Sequence, residues 1–539
     1  MVIPTDDRKL REAITLSMGG ATYVRIKKNV MFIVALAAIV LSSLPSLACT
    51  SIPVEKSASA DGSTITAHTC DGWYDARTWV VPAAKHDPGA MMPVYKGLLH
   101  DDRTPAVKVG EIPYPEQTYA WFYAGYPYMN EHQVIMGETT IGNRGELSTN
   151  QGLLYIETLQ IIGLQGARTA CEAVRLMGEA AEKFGYIDRG ECLTVGDPNE
   201  VWFFEVMPPG AFQTGAIWAA VRIPEGHVGV SANRSRIGKI DPKDPENYMF
   251  SSNVFDVAIE NGWWDPEGDE PFRFYDAYNP SLAQGSRRRE WRVLSWAAPS
   301  LKLDPTAERY PFTVKAERPI TIQDMISIYR DTYAGTAYDK ANVPDWYIVD
   351  AKGVATKSPF ATPHASRDLQ LLVDAANERN ISIPGCSYHT ILQARAWLPD
   401  VIGGLCWFGL NNPDTSVYIP VYAGVNSLPA NYAVNDRTKF SFANIKESAW
   451  WAFDFMDNLV NRRYQDMIKD LRAVRDPFEA EQFLLQPAIE KSALELHNTD
   501  PALAKQFLTQ YTHLRASMAV DMYWALAEKL IVKYDDKMF

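Results

Sequence analysis

Thr50-Ser51-Ile52-Pro53-Val54, then Ser59-Ala60-Asp61-Gly62-Ser63, then Thr64-Ile65-Thr66-Ala67-His68 is the stretch that most constrains this 539-residue chain. β-Branched and apolar residues on both sides of an Asp-Gly turn predict two antiparallel strands closed tightly. The second strand, followed to Asp71, returns to the start of the first. The Asp71 carboxylate is therefore expected beside Cys49, although a turn aspartate ahead of Gly72 is the plainer reading of that residue alone.

The residues ahead of Cys49 read as a targeting segment. Arg25, Lys27 and Lys28 form a basic flank, residues 30–41 an apolar run, and Ser46-Leu47-Ala48 supplies small residues at −3 and −1 of a cleavage point. The run is shorter than the roughly 20 residues of a membrane span. Residues 1–48 are expected to be a cleaved signal peptide, with translation from Met18 an alternative start, and the product exported to the periplasm or beyond the cell. An uncleaved anchor and a lipidated Cys49 are the other readings; Ser46 stands where a lipoprotein signal carries a large aliphatic residue.

Cleavage after Ala48 would make Cys49 the first residue. A thiol titrates near pH 8.5 and needs a base; a free α-amine titrates at about 7.7–8.0 and would sit on the same residue. Nucleophile and general base then come from one amino acid. The competing reading is a structural cysteine that happens to follow a signal.

Composition removes other classes. The chain is 47% hydrophobic and 22% charged, enough apolar material for a sizeable core. Its net charge of −13, without a basic block beyond the N-terminus, argues against nucleic acid as a partner. The 9 histidines show no H-E-x-x-H spacing, and neither a G-x-S-x-G elbow nor a phosphate loop is present, so no metal and no cofactor is expected. Of 6 cysteines none form a C-x-x-C; with Cys49 free, a pairing such as Cys171 with Cys192 stays open.

Strands early, a helix over residues 167–184, aromatic loop and strand over 250–300, a strand at 416–422, and helices over 478–496 and 501–533 make an α+β chain. Tyr511, Leu514, Met518 and Met522 fall at helical spacing and are read as core. Repeats, low-complexity tracts and clear linkers are absent from the sequence.

The sequence from Cys49 to Ile65, C-T-x-x-x-x-x-K-x-A-S-x-D-G-S-T-I, resembles the start of the dipeptidases among the N-terminal-nucleophile cysteine hydrolases, relatives of secernin, choloylglycine hydrolase and penicillin V acylase. Met129-Asn130-Glu131 with Gly137-Glu138-Thr139-Thr140, Asp197-Pro198-Asn199-Glu200-Val201-Trp202, Ala232-Asn233-Arg234-Ser235-Arg236-Ile237 and Arg288-Arg289-Glu290-Trp291-Arg292 are similar to family segments in the same order. So are Gln393-Ala394-Arg395-Ala396-Trp397-Leu398-Pro399 and Gly403-Gly404-Leu405-Cys406-Trp407.

The resemblance implies an αββα sandwich over residues 49–440, with a helical region at 441–539 packed on it. It implies Cys49 as nucleophile, Asp71 as the group that orients thiol and amine, and Asn233 as oxyanion donor. Arg289 would help fix the nucleophile's ionisation, with Arg292 the neighbouring candidate. Relatives carry R-N-x-D where this chain has His68-Thr69-Cys70-Asp71. His68 either takes over part of the arginine's substrate contact or ends a strand with no role. Glu138 either meets a substrate ammonium or is a strand-end carboxylate satisfied by the threonines after it. The activity implied is an exported cysteine dipeptidase acting on small peptides, with an N-acyl amide hydrolase as the alternative. After processing no membrane span is expected, and homo-oligomerisation is left open.

Overall fold

Hydroxyl and apolar side chains alternating along the first hairpin pair as the sequence predicts. In the computed structural model, which describes residues 49–99, 105–434 and 441–535, strand β1 (Thr50–Val54) runs antiparallel to β2 (Thr64–Asp71). Thr50 stands opposite Thr69 and Val54 opposite Ile65. The turn is held by Asp61, whose Oδ1 accepts from the Ser63 amide at 3.0 Å and the Ser59 hydroxyl at 3.0 Å. Gly62 supplies the left-handed φ of 82° that the turn requires. The expected signal segment, residues 1–48, lies outside the described residues.

The remaining strands that frame the site are β3 (Ile135–Thr140), β4 (Glu191–Gly196), β5 (Val201–Met207), β6 (Ile217–Arg222), β7 (His227–Gly229), β8 (Tyr248–Phe250), β9 (Thr313–Lys315), β10 (Cys386–Ala394), β11 (Leu405–Leu410) and β12 (Ile419–Tyr422). They make two antiparallel sheets. One has the order β9-β7-β1-β2-β10-β11-β12, the other β8-β6-β5-β4-β3. Every residue of β2 and β10 is buried, so both faces of the larger sheet are covered at its centre. The Ser51 hydroxyl donates to the carbonyl of Glu138 at 2.9 Å, tying β1 of one sheet to β3 of the other. Thr66 and Thr194 join their hydroxyls across the same gap.

Helices α1 (Ile156–Gly166) and α2 (Ala170–Phe184) pack on the smaller sheet; α2 carries Gly178, where a Cβ would meet the Trp218 ring of β6 at 2.5 Å. The single helix expected over 167–184 is thus later and has a neighbour, because Thr169 caps α2, its hydroxyl accepting from the Glu172 amide at 3.1 Å. Helices α3 (Gln284–Ala297) and α4 (Ile322–Tyr329) serve the larger sheet; Tyr329 donates to the carbonyl of Thr50 at 3.1 Å. The R-R-E-W-R segment, read as following strand and loop, lies inside α3. Its buried positions Ser286, Arg289, Glu290, Val293, Leu294 and Ala297 recur at the helical period, with Arg288 buried beside them.

The C-terminal part comprises α5 (Ala449–Val460), α6 (Tyr464–Thr499) and α7 (Pro501–Lys533). Helix α6 begins well before residue 478 and runs through Pro477 and Pro487, each of which forfeits one backbone hydrogen bond. It reaches the sheet through Glu479, which accepts from the Tyr418 amide at 2.9 Å. That bond belongs to a loop, and the strand expected over 416–422 is shortened to β12. On α7, Leu514 and Met518 are 57% and 40% exposed, against the expectation of a core stripe. The buried stripe instead follows Leu508, Tyr511, Thr512, Arg515, Ala516, Ala519 and Tyr523, where Ala516 and Ala519 let the helix approach closely. Contacts group residues 48–539 as one unit. All six cysteines are free, Cys171 and Cys192 included. Among the described residues no helix is long and apolar enough to cross a membrane.

Candidate active site

Cys49 immediately precedes β1, with its side chain buried. Continuing the hairpin register by one residue sets Cys70 across from it. Alternation along β2 then separates two groups: His68 and Cys70 on one face, Thr69 and Asp71 on the other. The first group meets Glu138 of β3, whose Oε2 is 3.6 Å from His68 Nε2. The His68 ring stands edge-on to Tyr126 and Tyr388, centroids at 5.7 and 5.8 Å.

Asp71 was expected directly beside the thiol; the hairpin gives that place to Cys70. Asp71 is fully buried, and its Oδ2 accepts from the Thr69 hydroxyl at 3.0 Å and from the guanidinium of Arg379. Arg379 has no counterpart in the sequence reading. It lies in a loop with no periodic pattern, and only the fold brings it to a strand end more than 300 positions earlier.

Arg289 links the Cys49 backbone to the Asn233 turn, and Asn233 to the end of β3. Arg289, on α3, donates to the carbonyl of Cys49 at 2.7 Å and to the Thr50 hydroxyl at 2.9 Å. Its other terminal nitrogen donates to Asn233 Oδ1 at 2.8 Å and to the carbonyl of Ala232 at 3.2 Å. Asn233 in turn donates from Nδ2 to the carbonyl of Thr140 at 2.7 Å, at the end of β3. Arg292 is turned elsewhere: its Nε donates to Asp331 at 2.9 Å. Of the two arginines, Arg289 is therefore the one at Cys49.

The segment that presents Asn233 is clamped. Asn233 has a left-handed φ of 65°, uncommon for a residue other than glycine. Immediately after it, Glu205 of β5 accepts from the amides of Arg236 at 2.6 Å and Ile237 at 3.2 Å, and from the Ser235 hydroxyl. Glu290 of α3 accepts from Arg234 Nε at 2.6 Å and Arg236 Nη1 at 2.6 Å, all three side chains being buried. Charges this deep persist only when paired, so the network locks the turn.

The electrostatics of the pocket oppose a thiolate in the unprocessed chain. Burial first, then the hydrogen bond with Cys70 and the charge of Glu138, hold the Cys49 thiol well above its ordinary value. Glu191, on β4 beside Glu138, is also pushed well up, by burial and then by the Glu138 charge. Burial and the nearby Arg379 pull the Arg289 guanidinium down to about 9, which leaves it a cation at neutral pH. Among the described residues Cys49, His68 and Glu138 also have metal-ligand spacing, a grouping made by the fold and not by any sequence motif.

A cavity of about 620 Å³ lies away from this pocket, between α4 and α6. Its Arg330 and Arg475 are already paired, with Glu479 at 2.7 Å and Asp476 at 2.8 Å.

Comparison with known proteins agrees with the extent of this architecture. Residues 48–476 match the sequence model of peptidase family C69. A probable dipeptidase of Latilactobacillus sakei is 25% identical over 438 residues, 77% of this chain and 82% of that protein. One from Salmonella dublin is 28% identical over 399 residues, covering 70% and 82%. The probable dipeptidase B of Streptococcus pyogenes serotype M1 is 22% identical over 511 residues, covering 90% and 93%.

Proposed function

Because the chain belongs to peptidase family C69 and is a peptide-bond hydrolase, we propose that it is an exported dipeptidase whose nucleophile is Cys49, working with its own freed α-amine. The names of the relatives, probable dipeptidase and dipeptidase B, support the substrate class. Two contacting antiparallel sheets with helices on both support an αββα sandwich of N-terminal-nucleophile type, with residues 49–440 as its core and 441–539 as a helical elaboration.

The observation that carries the mechanism is that Arg289 holds both the Cys49 carbonyl and the Asn233 side chain. With residues 1–48 removed, the α-amine would stand at the start of β1, on the side where Asp71 and Arg379 close the strand end. The amine takes the thiol proton; the sulfur attacks the peptide carbonyl carbon, and the C–S bond forms as the carbonyl electrons move to oxygen. The second N–H of Asn233 serves the developing oxyanion. Collapse breaks the C–N bond, the ammonium returns its proton to the leaving amine, and a thioester remains. Water then attacks the thioester, giving its proton to the α-amine, and the thiol is restored.

Arg289 fixes the Cys49 carbonyl, and therefore the direction of the amine and thiol on the same residue. Glu138, buried in the thiol's pocket, is the partner proposed for the free ammonium of a dipeptide, with His68 beside it. That pairing would restrict the enzyme to substrates with an unblocked terminus.

The test is turnover of a dipeptide panel beside glycine-conjugated bile salts, using protein whose first residue has been established by mass spectrometry. Cleavage of dipeptides by the Cys49-initiated form, lost in Cys49→Ala, is the expected result. Cleavage of the acyl conjugates alone would move the enzyme to the N-acyl amide hydrolases, and undiminished activity of Cys49→Ala would remove the nucleophile.

A further inference from the structure

The side chains around the Cys49 sulfur form a donor set that a hydrolase of this design does not require. Cys49, His68 and Glu138 each offer one ligand atom within 4.8 Å of the others, and all three are buried. The separation of His68 Nε2 and Glu138 Oε2, 3.6 Å, is too long for a hydrogen bond. It is close to the roughly 3.4 Å between nitrogen and oxygen ligands on one tetrahedral zinc with bonds of about 2.0–2.1 Å. Neither atom has a hydrogen-bond partner among the described residues, which is costly for an imidazole nitrogen and a carboxylate oxygen so deep in the fold. Both are aimed at the same small volume as the thiol.

Thiolate, imidazole and carboxylate together suit a borderline-soft divalent cation, and zinc above calcium or magnesium, which take oxygen ligands. We propose that the Cys49 pocket binds Zn²⁺ through Cys49 Sγ, His68 Nε2 and Glu138 Oε2, and that the bound ion holds the enzyme inactive. The inhibitory part rests on Cys49 being the nucleophile, as argued above. In the processed protein the α-amine of Cys49 supplies a fourth donor, closing a five-membered chelate with its own sulfur. Binding releases the thiol proton and occupies both the attacking electron pair and the base. It also takes the Glu138 carboxylate proposed for the substrate ammonium, so zinc and dipeptide exclude one another.

Cobalt(II) titrated into the mature protein reads the site without reference to turnover. The expected result is one ion per chain with a thiolate-to-cobalt charge-transfer band, displaced by Zn²⁺ and removed by chelator. The band should vanish in Cys49→Ser and persist in Cys70→Ala. His68→Gln and Glu138→Gln should each weaken binding by more than about tenfold, the loss that even an outer partner's removal brings at zinc sites. Circular dichroism confirms that each variant is folded. Absence of the band in the wild-type protein overturns the site, as does its survival at full affinity in His68→Gln and Glu138→Gln or its loss in Cys70→Ala. Zn²⁺ should inhibit dipeptide cleavage competitively and reversibly. A charge-transfer band with undiminished turnover would leave the site standing and reject Cys49 as the nucleophile.

Discussion

Arg289 Nη1 lies 2.7 Å from the carbonyl oxygen of Cys49, 240 positions earlier in the chain. The same guanidinium reaches Thr50, Ala232, Asn233 and Gly285. One buried cation thus joins the start of β1, the Asn233 turn and the first turn of α3. Its charge is delocalised over a planar fork, a geometry that lysine cannot reproduce.

Replacing Arg289 by lysine should therefore fail to rescue. Arg289→Lys and Arg289→Ala should both lower kcat/KM by about a hundredfold or more, corresponding to about 2.7 kcal/mol or more of transition-state stabilisation. Both should also lower the melting temperature, because each buried acceptor left without its donor costs about 1–3 kcal/mol. Steady-state kinetics and thermal unfolding measure the two effects; a lysine variant with wild-type kcat/KM would reject the positioning role.

A free amine on Cys49 is the second requirement. Protein in which Ala48 is retained ahead of Cys49 should fold normally and lose about 10²- to 10⁴-fold in turnover, the usual contribution of a general base. Comparing it with the Cys49-initiated form, both identified by intact mass, isolates the amine from the sulfur. Equal rates in the two forms would sink the mechanism.

Buried Asp71 and part-buried Arg379 form an ion pair that closes the end of β2. Removing the arginine leaves the Asp71 charge buried, which costs about 3–5 kcal/mol; removing the aspartate leaves a part-exposed guanidinium and costs less. Arg379→Gln should destabilise strongly and Asp71→Asn less, and the double variant should cost less than the two losses combined. Urea unfolding of the four proteins gives the coupling; additive losses would show that the pair is not a unit.

Glu205 makes stability depend on pH. Burial, set against its hydrogen bonds to Ser235, Arg236 and Ile237, pushes its carboxyl from 4.5 to about 7. An unfolded chain gives up that proton first, so between about pH 4.5 and 7 the unfolded state binds fewer protons and stability falls as pH rises. Glu205→Gln removes this contribution. Its cost relative to wild type should be larger at pH 5 than at pH 7.5, by on the order of 2 kcal/mol. Urea unfolding at the two pH values checks this, and identical differences at both would contradict it.

How far the sequence could be read depended on how local each feature is. The β1–β2 hairpin was legible because its turn chemistry and its two-residue side-chain period act over a few neighbours. The α2 cap at Thr169 is equally local, yet the helix was drawn too early, since α1 ends only a few residues before it. For the R-R-E-W-R segment, resemblance left Arg289 and Arg292 both open, and only partners supplied from β1 and the Asn233 turn single out Arg289. Leu514 and Met518 misled: hydrophobic spacing alone could not tell which side of α7 faces the sheet.

From sequence alone come the strand that begins at Cys49, the turn that brings β2 back to it, and the family-like segments that follow in order. Tertiary structure alone decides that Arg379 neutralises Asp71, that Arg289 holds the Cys49 carbonyl, and that Glu138 shares a pocket with His68 and the thiol. The reason is physical: strand alternation and turn closure are set by residues adjacent along the chain. A buried charge or donor acquires its partner only when strands and helices hundreds of positions apart pack together and exclude water.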